Sequence, residues 1–470
     1  MIKQLSGIKH KLKRNNFEAG KKLPQKIVII GANAAGIEAA SAVRKKDRTA
    51  EIILITKEKT AGYSRCGLPF VVSGTIPLFR ELIVYPLAYF QMLKLNLRTQ
   101  TTASIINTKE KTVTIQTLEG VNEVITYDNL VIATGAEPVI PPIKGIEKQG
   151  MLSLRTIEDG EKIESAINAG AKSAIIMGAG LIGLELGVAL IERGLQVTVV
   201  ERLAQILPQM FDADMAEYVQ NHLEQHGMKI LLNNTVEEIF GVDKVSSIRV
   251  NEENLTADMF INAFGVCANT KLALDSGIPL GETNAIKINS YMETDVKDVY
   301  AVGDCAETVH AITQRPICPK LGSVAVRQGR IAGVNICGSK SQFTGVLVST
   351  ITKLFDVEVG ATGIGEAEAA KNGIEVVVGV VNSKTKADYY PSVKSIKIKL
   401  IVEKNSERII GAQIVGGEEV TQRINALSFV IQKQMTVREL AKADTAYAPP
   451  LCETWEPMVL AAERVLMKFR

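Results

Sequence analysis

An α/β fold, with two Rossmann-like βαβ units in one chain and a third unit of α+β character at the C-terminus, is predicted by three observations. Near the N-terminus an apolar run leads into a glycine-spaced turn and an alanine-rich stretch. The same pattern returns at Ser173. Beyond KSQFTG (340–345) strand-like and helix-like segments continue without another turn of this kind. A chain of 470 residues has room for two to four domains.

The first unit reads KIVIIGANAAGIEAASAVRKK from Lys26. Lys26–Ile30 is an apolar, β-branched run suited to a buried parallel strand. Gly31, Asn33 and Gly36 hold the G-x-G-x-x-G register, with Asn at the second glycine, a residue that tolerates left-handed backbone better than most. Ala34 and Ala35 keep the turn small, a helix is expected over Ile37–Lys46, and Glu51–Thr56 is the second strand. Such a turn presents helix N–H groups to a pyrophosphate. No acidic residue ends the second strand, so Glu58, two residues past Thr56, is the expected ribose partner.

The second unit is more regular. Ser173–Met177 is a strand, and GAGLIGLE places Gly178, Gly180 and Gly183 in full register around Leu181 and Ile182, followed by Glu185. A helix to about Arg193 and the strand LQVTVVER complete it. Glu201 ends that strand, where a carboxylate binds a ribose 2′-hydroxyl, which favours NADH; Arg202 beside it leaves NADPH open. One glycine turn is weak evidence, whereas two in strand–turn–helix–strand context indicate two bound dinucleotides.

Three further turns suit ligand contact. YDNLVIATGAEP (127–138) enters a turn at Thr134–Gly135, NAFGVCANT (262–270) turns at Gly265, and VYAVGDCAE (299–307) ends at Gly303–Asp304. Asp304 is placed to accept from a sugar-alcohol chain, or to cap a helix, or both.

Composition narrows the partners. Hydrophobic residues at 46% and charged residues at 22% fit a globular chain, and a net charge of +3 with one Trp gives nothing for nucleic acid to grip. The six cysteines, at 66, 267, 305, 318, 337 and 452, include no CxxC, and the four histidines no HExxH, so a metal is not expected. Cysteines apart from 66 and 452 read as packing. No apolar run is long enough to span a membrane. The basic arm, residues 1–24, lacks the apolar core of a secretory signal; Ile2, Leu5, Ile8 and Leu12 fall on one helical face, a tail or a weak surface contact. A cytoplasmic protein is expected.

The combination of GANAAG, SRCGLPF, ATG, GAGLIGLE, AVGD and AYAPPLCETWEPMVLAAE resembles the flavoprotein pyridine nucleotide-disulfide oxidoreductases over nearly all of the chain from Lys26. It is similar to their single-cysteine branch, which holds coenzyme A-disulfide reductases, NADH oxidases and peroxidases, and polysulfide reductases. The resemblance implies an FAD-binding domain over 25–148 and 258–340, an NAD(H)-binding domain over 149–257, and a dimerisation domain over 343–470, working as a homodimer. Cys66 then stands as the redox sulfur. Two-cysteine members carry CxxxxC, but Ala61 and Val71 occupy the positions five before and five after Cys66, and no His follows residue 310. Oxidases and peroxidases resemble one another in a His at the fourth position of the first turn, here Ala34.

RCGLPF is nearest to the coenzyme A-disulfide reductases, whose catalytic tyrosines come from the interface domain. The candidates are Tyr447 with Tyr389 or Tyr390. Arg65 replaces an Asn of that group, and Gly62 and Ala42 replace polar contacts, while Lys45 keeps a charge for a phosphate. Cys452, where Ser is more usual, is either a second thiol or a neutral replacement. The expected reaction passes electrons from NAD(P)H through flavin to Cys66 and on to a disulfide, persulfide or polysulfide. A helix opening at Gly67–Leu68–Pro69, and Arg65 if turned inward, are expected to lower the Cys66 thiol pKa. The alternatives are an NADH oxidase or peroxidase cycling Cys66 through sulfenic acid, or a non-catalytic redox-sensing flavoprotein.

Overall fold

The computed structural model describes residues 24–469. All but the last residue of the basic arm therefore lies outside the described residues. Three sheets organise the chain. The first is parallel, with strands ordered Val299–Ala301, Asn129–Ile132, Lys26–Ile30, Glu51–Ile55, Asn96–Arg98. Four of the five residues of Lys26–Ile30 are buried, as a central parallel strand covered on both faces requires.

The helix after the first glycine turn runs Ala34–Lys46, one turn earlier than its apolar pattern suggests, because Asn33 caps it. Against its face lies Gly322–Ile336. A Cβ on Gly329 would stand 2.2 Å from the Ala35 carbonyl, and one on Gly333 2.5 Å from that of Ala39. These two helices pack at backbone distance because Gly329 and Gly333 face the small residues Ala35, Ala39 and Ala42.

The second sheet is also parallel, ordered Lys229–Leu231, Gln196–Val200, Ser173–Met177, Met259–Asn262, Met151–Leu152. Its fourth strand corrects one expected boundary. Met259–Asn262 pairs with Ser173–Met177, so residues 258–262 belong with the second dinucleotide unit and not with the resumed first one. The return runs just beyond, where Val266–Ala268 pairs antiparallel with Ala136–Pro138.

The third sheet is antiparallel, ordered Thr350–Leu354, Val357–Gly363, Ile409–Gly416, Ser395–Glu403, Val376–Lys384. Helices Val420–Gln432 and Pro457–Met467 cover it. The second helix approaches so closely that a Cβ on Gly379 would lie 2.6 Å from the Ala461 carbonyl. Lys399, in this sheet and 2 % exposed, holds Asp212, Asp214 and Glu366 at 3.1, 2.6 and 2.6 Å. A buried ammonium needs several acceptors, and this one joins the third sheet to the helix Ala213–Gln225 of the second unit. No described helix is long and apolar enough to cross a membrane.

Candidate active site

The two glycine turns share one construction. Gly31 and Gly178 both take φ = +117°, and a Cβ there would stand 2.0 Å from the Ala133 carbonyl and 2.3 Å from the Ala263 carbonyl. Gly36 and Gly183 sit one helical turn on, where a Cβ would meet the carbonyl oxygens of Gly31 and Gly178 at 1.9 and 2.2 Å. Only glycine permits a strand, turn and helix this close. The second position differs from expectation. Asn33 has φ −128°, an extended backbone rather than a left-handed one, and Gly180 has φ −80°. Asn33 serves as a cap, its Oδ1 accepting from the Ala34 N–H at 2.9 Å. Nothing lies within 4 Å of where a Gly180 Cβ would be, so the backbone there is open to a close-lying ligand.

The turn at Gly303–Asp304 comes up against the first of these turns. Gly303 has φ = +78°, and its absent Cβ would be 3.0 Å from the Ala35 Cβ. Asp304 thus stands beside the start of the Ala34–Lys46 helix, so a pyrophosphate at that helix end and a polyol chain at Asp304 form one continuous cradle. That arrangement fits FAD. Thr134 Oγ1 donates to the Asn269 carbonyl at 2.7 Å, while Gly135 and Gly265 take φ of +72° and +103°. These three residues shape the ribbon between the first two sheets, and the hydroxyl of Thr134 is spent on it.

Glu201 is 9 % exposed and accepts from the N–H groups of Ala179 and Leu203, both at 2.9 Å. The carboxylate therefore stands fixed at the mouth of the second glycine turn. Glu58 does not occupy the matching place in the first unit. The strand stops at Ile55, and the Glu58 carboxylate is taken by the Tyr63 hydroxyl at 2.6 Å and by Arg65 Nη2 at 2.5 Å. It turns towards the Cys66 segment, so a ribose role for Glu58 finds no support.

Cys66 lies in a 3-10 turn, Arg65–Gly67, that leads into the short helix Leu68–Val72 with Pro69 in its first turn. The sulfur is reached by solvent, yet it has enough protein around it that burial pushes its thiol pKa up. The charges of Glu185 and Asp304 raise it further, and Arg155 opposes them. This reverses the expected lowering. The helix is a single turn, and Arg65 does not aim at the sulfur: it lies over the Tyr63 ring at 5.1 Å, pairs with Glu58, and donates through Nη1 to the Arg155 carbonyl at 2.6 Å.

Two residues to which the sequence assigns no part in the Cys66 site, Arg155 and Glu185, join here. Arg155 Nη2 donates to Asp304 Oδ2 at 2.9 Å and Nε to the Ala136 carbonyl at 3.2 Å. It precedes a helix, Ile157–Asn168, whose Thr156–Asp159 capping box is a local signal for the helix but not for the arginine's reach. Glu185, already visible in GAGLIGLE, accepts from Thr352 Oγ1 at 2.5 Å, and burial raises its carboxyl above the ordinary range.

The C-terminal candidates separate. Tyr389 and Tyr447 are exposed, with hydroxyls 3.1 Å apart. Tyr390 is half-buried with the Lys386 ammonium 5.9 Å from its ring centre, and it takes no part in the pair. Cys452 closes a local turn: its Sγ accepts from the Ala448 N–H at 3.3 Å and lies 3.2 Å from the Ala446 carbonyl. Lys45 is exposed on the last turn of its helix. Cys305 is buried, as packing requires, but Cys267 is exposed on the ribbon.

Residues 25–329 match the family model described as pyridine nucleotide-disulphide oxidoreductase, and residues 349–459 match the dimerisation domain of the same family. An NADH oxidase of Methanocaldococcus jannaschii is 42% identical over 443 residues, covering 94% of this chain and 98% of the relative. An NAD(P)H sulfur oxidoreductase (CoA-dependent) of Pyrococcus abyssi is 34% identical, covering 95% and 99%. Among solved structures, an NAD-dependent persulfide reductase from A. fulgidus superposes with a TM-score of 0.92 at 39% identity, covering 94% of this chain and 83% of that one.

Proposed function

Because the chain belongs to the pyridine nucleotide-disulphide oxidoreductase family and is an FAD-dependent NAD(P)H oxidoreductase, we propose that Cys66 is its redox sulfur and that it reduces a disulfide or persulfide of an anionic thiol such as coenzyme A, or a polysulfide. The observation that carries this reading is the isolation of Cys66. It sits at the head of a helix, within the field of Glu185, Asp304 and Arg155, with Ala61 and Val71 where a second cysteine would stand. The names of the relatives from P. abyssi and A. fulgidus, a CoA-dependent sulfur oxidoreductase and a persulfide reductase, support sulfur as the acceptor.

Ala34, Ala35 and Asp304 would hold FAD, and Gly178, Gly180, Gly183 and Glu201 the nicotinamide dinucleotide. The Cys66 thiolate attacks one sulfur of the substrate, the S–S bond breaks, one thiolate departs, and the other half remains on Cys66 as a mixed disulfide. Tyr447, with Tyr389 on its hydroxyl, supplies the proton to the departing thiolate, in a homodimer that carries the pair to the partner's site. FAD held beside Ala34, Ala35 and Asp304 would supply the electron pair, taken from NADH, needed to return the mixed disulfide on Cys66 to thiol and thiolate. Arg65 acts through its hold on Glu58, and the exposed Lys45 is the candidate to meet an anionic group of the thiol. Cys452, tied into its own turn, shapes the loop next to Tyr447.

Anaerobic NADH turnover with coenzyme A disulfide, coenzyme A persulfide and polysulfide, for wild type and Cys66→Ser, tests the proposal. Turnover with at least one of these and none in the variant is expected; full disulfide reduction by Cys66→Ser would overturn it. The relative from M. jannaschii, by its name, favours a second reading, an NADH oxidase using a Cys66 sulfenic acid. Ala34, at the position where the oxidases and peroxidases of this branch resemble one another in a His, weighs against it. NADH consumption with oxygen alone, matched by water formation and lost in Cys66→Ser, would establish it.

A further inference from the structure

Two of the chain's four histidines stand four residues apart on one helix, away from every glycine turn. His222 lies in the last turn of Ala213–Gln225 and His226 is its C-terminal cap. Facing both is Asp356, in the turn between strands Thr350–Leu354 and Val357–Gly363 of the third sheet. Asp356 Oδ1 is 3.1 Å from His222 Nε2 and 3.9 Å from His226 Nε2, and the ligand atoms of all three residues lie within 4.8 Å of one another. Donors around a tetrahedral zinc, each roughly 2.0–2.1 Å from the metal, are separated by about 3.4 Å. The three atoms already bracket that spacing.

We propose that His222, His226 and Asp356 form a binding site for a first-row transition-metal dication, zinc(II) foremost, which clamps the second dinucleotide unit to the third sheet. Several features select a metal over a plain ion pair. His222 Nε2 is buried and makes no hydrogen bond among the described residues, although a carboxylate oxygen is 3.1 Å away. His226 Nδ1 lies 2.8 Å from the His222 carbonyl. Carrying the proton there leaves Nε2 as the ligand, and a backbone acceptor behind a metal-bound imidazole is the usual orienting contact. Phe355 stacks on the His226 ring at 4.5 Å and 17°, holding its plane. Two imidazoles and one carboxylate suit zinc, cobalt(II) or nickel(II), and the exposure of Asp356 leaves a further position to water.

The other carboxylate group of similar compactness, Asp212, Asp214 and Glu366, gives the contrast: Lys399 Nζ already holds all three. The metal clamp would also steady the strand that bears Thr352, whose hydroxyl donates to Glu185.

The test uses the full-length, FAD-loaded protein in a Cys66→Ser background, so that the reactive thiol does not compete. After chelation and gel filtration, zinc(II) is added, excess is removed, and retained zinc and the thermal midpoint are measured. The expected result is stoichiometric zinc and a raised midpoint, with retention falling at least tenfold in His226→Gln and in Asp356→Asn, both solvent-facing changes. Cobalt(II) in place of zinc should give the visible absorption of a four-coordinate N/O site. Should His226→Gln fail to fold, Asp356→Asn decides alone. No retained zinc in the parent, or the same retention in the variants, overturns the proposal.

Discussion

The hydroxyls of Tyr389 and Tyr447 are 3.1 Å apart, and both side chains are exposed on the single chain. Two phenols that share one proton-bearing hydrogen bond are not independent donors. The shared bond raises the Tyr389 pKa, and Tyr447 is the proposed donor to the departing thiolate. Tyr447→Phe should lower kcat for disulfide reduction by roughly 10²–10⁴-fold. Tyr389→Phe should cost less, and the double variant should fall short of the product of the two losses. Steady-state rates for the four proteins check this; fully multiplicative losses would show that the pair does not act as a unit.

The Cys66 thiol is tuned by opposing charges. Burial raises its pKa, Glu185 and Asp304 raise it further, and Arg155 lowers it. Glu185→Gln removes a negative charge, so thiolate should form at lower pH; Arg155→Met removes the cation and should move it higher. Alkylation rate against pH, on reduced and FAD-loaded protein, reads both. Glu185 has its own signature. Its folded carboxyl is raised above 4.5 by burial, so its stabilising contribution is complete below that value and lost as pH rises through the folded pKa. Denaturation midpoints of Glu185→Gln should therefore decline less than those of the parent between acid and neutral pH. Equal alkylation profiles in all three proteins would mean that these charges do not reach the sulfur.

What the sequence carried well was local. Gly31, Gly36, Gly178 and Gly183 are spaced by the geometry of a single turn, so their roles follow from spacing alone. Partnerships across long separations were not legible. Nothing in the sequence tells that Arg155 reaches Asp304, or that Tyr389 rather than its neighbour meets Tyr447. The start of the resumed first unit, expected at 258, is not legible either, because the apolar run Met259–Asn262 carries no label for the strand it pairs with. The helix opening at Leu68 is legible in Gly67–Leu68–Pro69, but the direction of the thiol pKa is not, since burial and the carboxylates of Glu185 and Asp304 push it up.

Arg65 and Glu58 form a mostly buried pair at 2.5 Å. Arg65→Asn leaves the carboxylate with the Tyr63 hydroxyl alone, and about 1–3 kcal/mol of stability should be lost. Glu58→Gln should cost a similar amount, and the double variant less than the sum. Because the guanidinium is engaged within the protein, KM for a coenzyme A substrate should change less than the melting temperature suggests. A large KM rise at unchanged stability would instead place Arg65 in direct contact with substrate.

On the proposed reading, cofactor choice rests on Glu201. Its carboxylate is pinned by two backbone N–H groups at the mouth of the second glycine turn and is 9 % exposed. It cannot swing away from a 2′-phosphate without abandoning both donors, so a ribose hydroxyl gains an acceptor there while a phosphate meets a fixed like charge. Like charges at roughly 4 Å near a protein surface repel by up to about 4 kcal/mol, reduced by solvent and by the exposed Arg202 alongside. A preference for NADH of roughly 10–100-fold in kcat/KM is the expected balance. Glu201→Gln removes the charge but keeps the side-chain length and one carbonyl acceptor. It should narrow the ratio chiefly by lowering KM for NADPH, since Arg202 is then left to favour the phosphate. Arg202→Ala should widen the ratio. If neither variant changes it, the discrimination lies outside the strand end and the pinned carboxylate serves only to brace the turn.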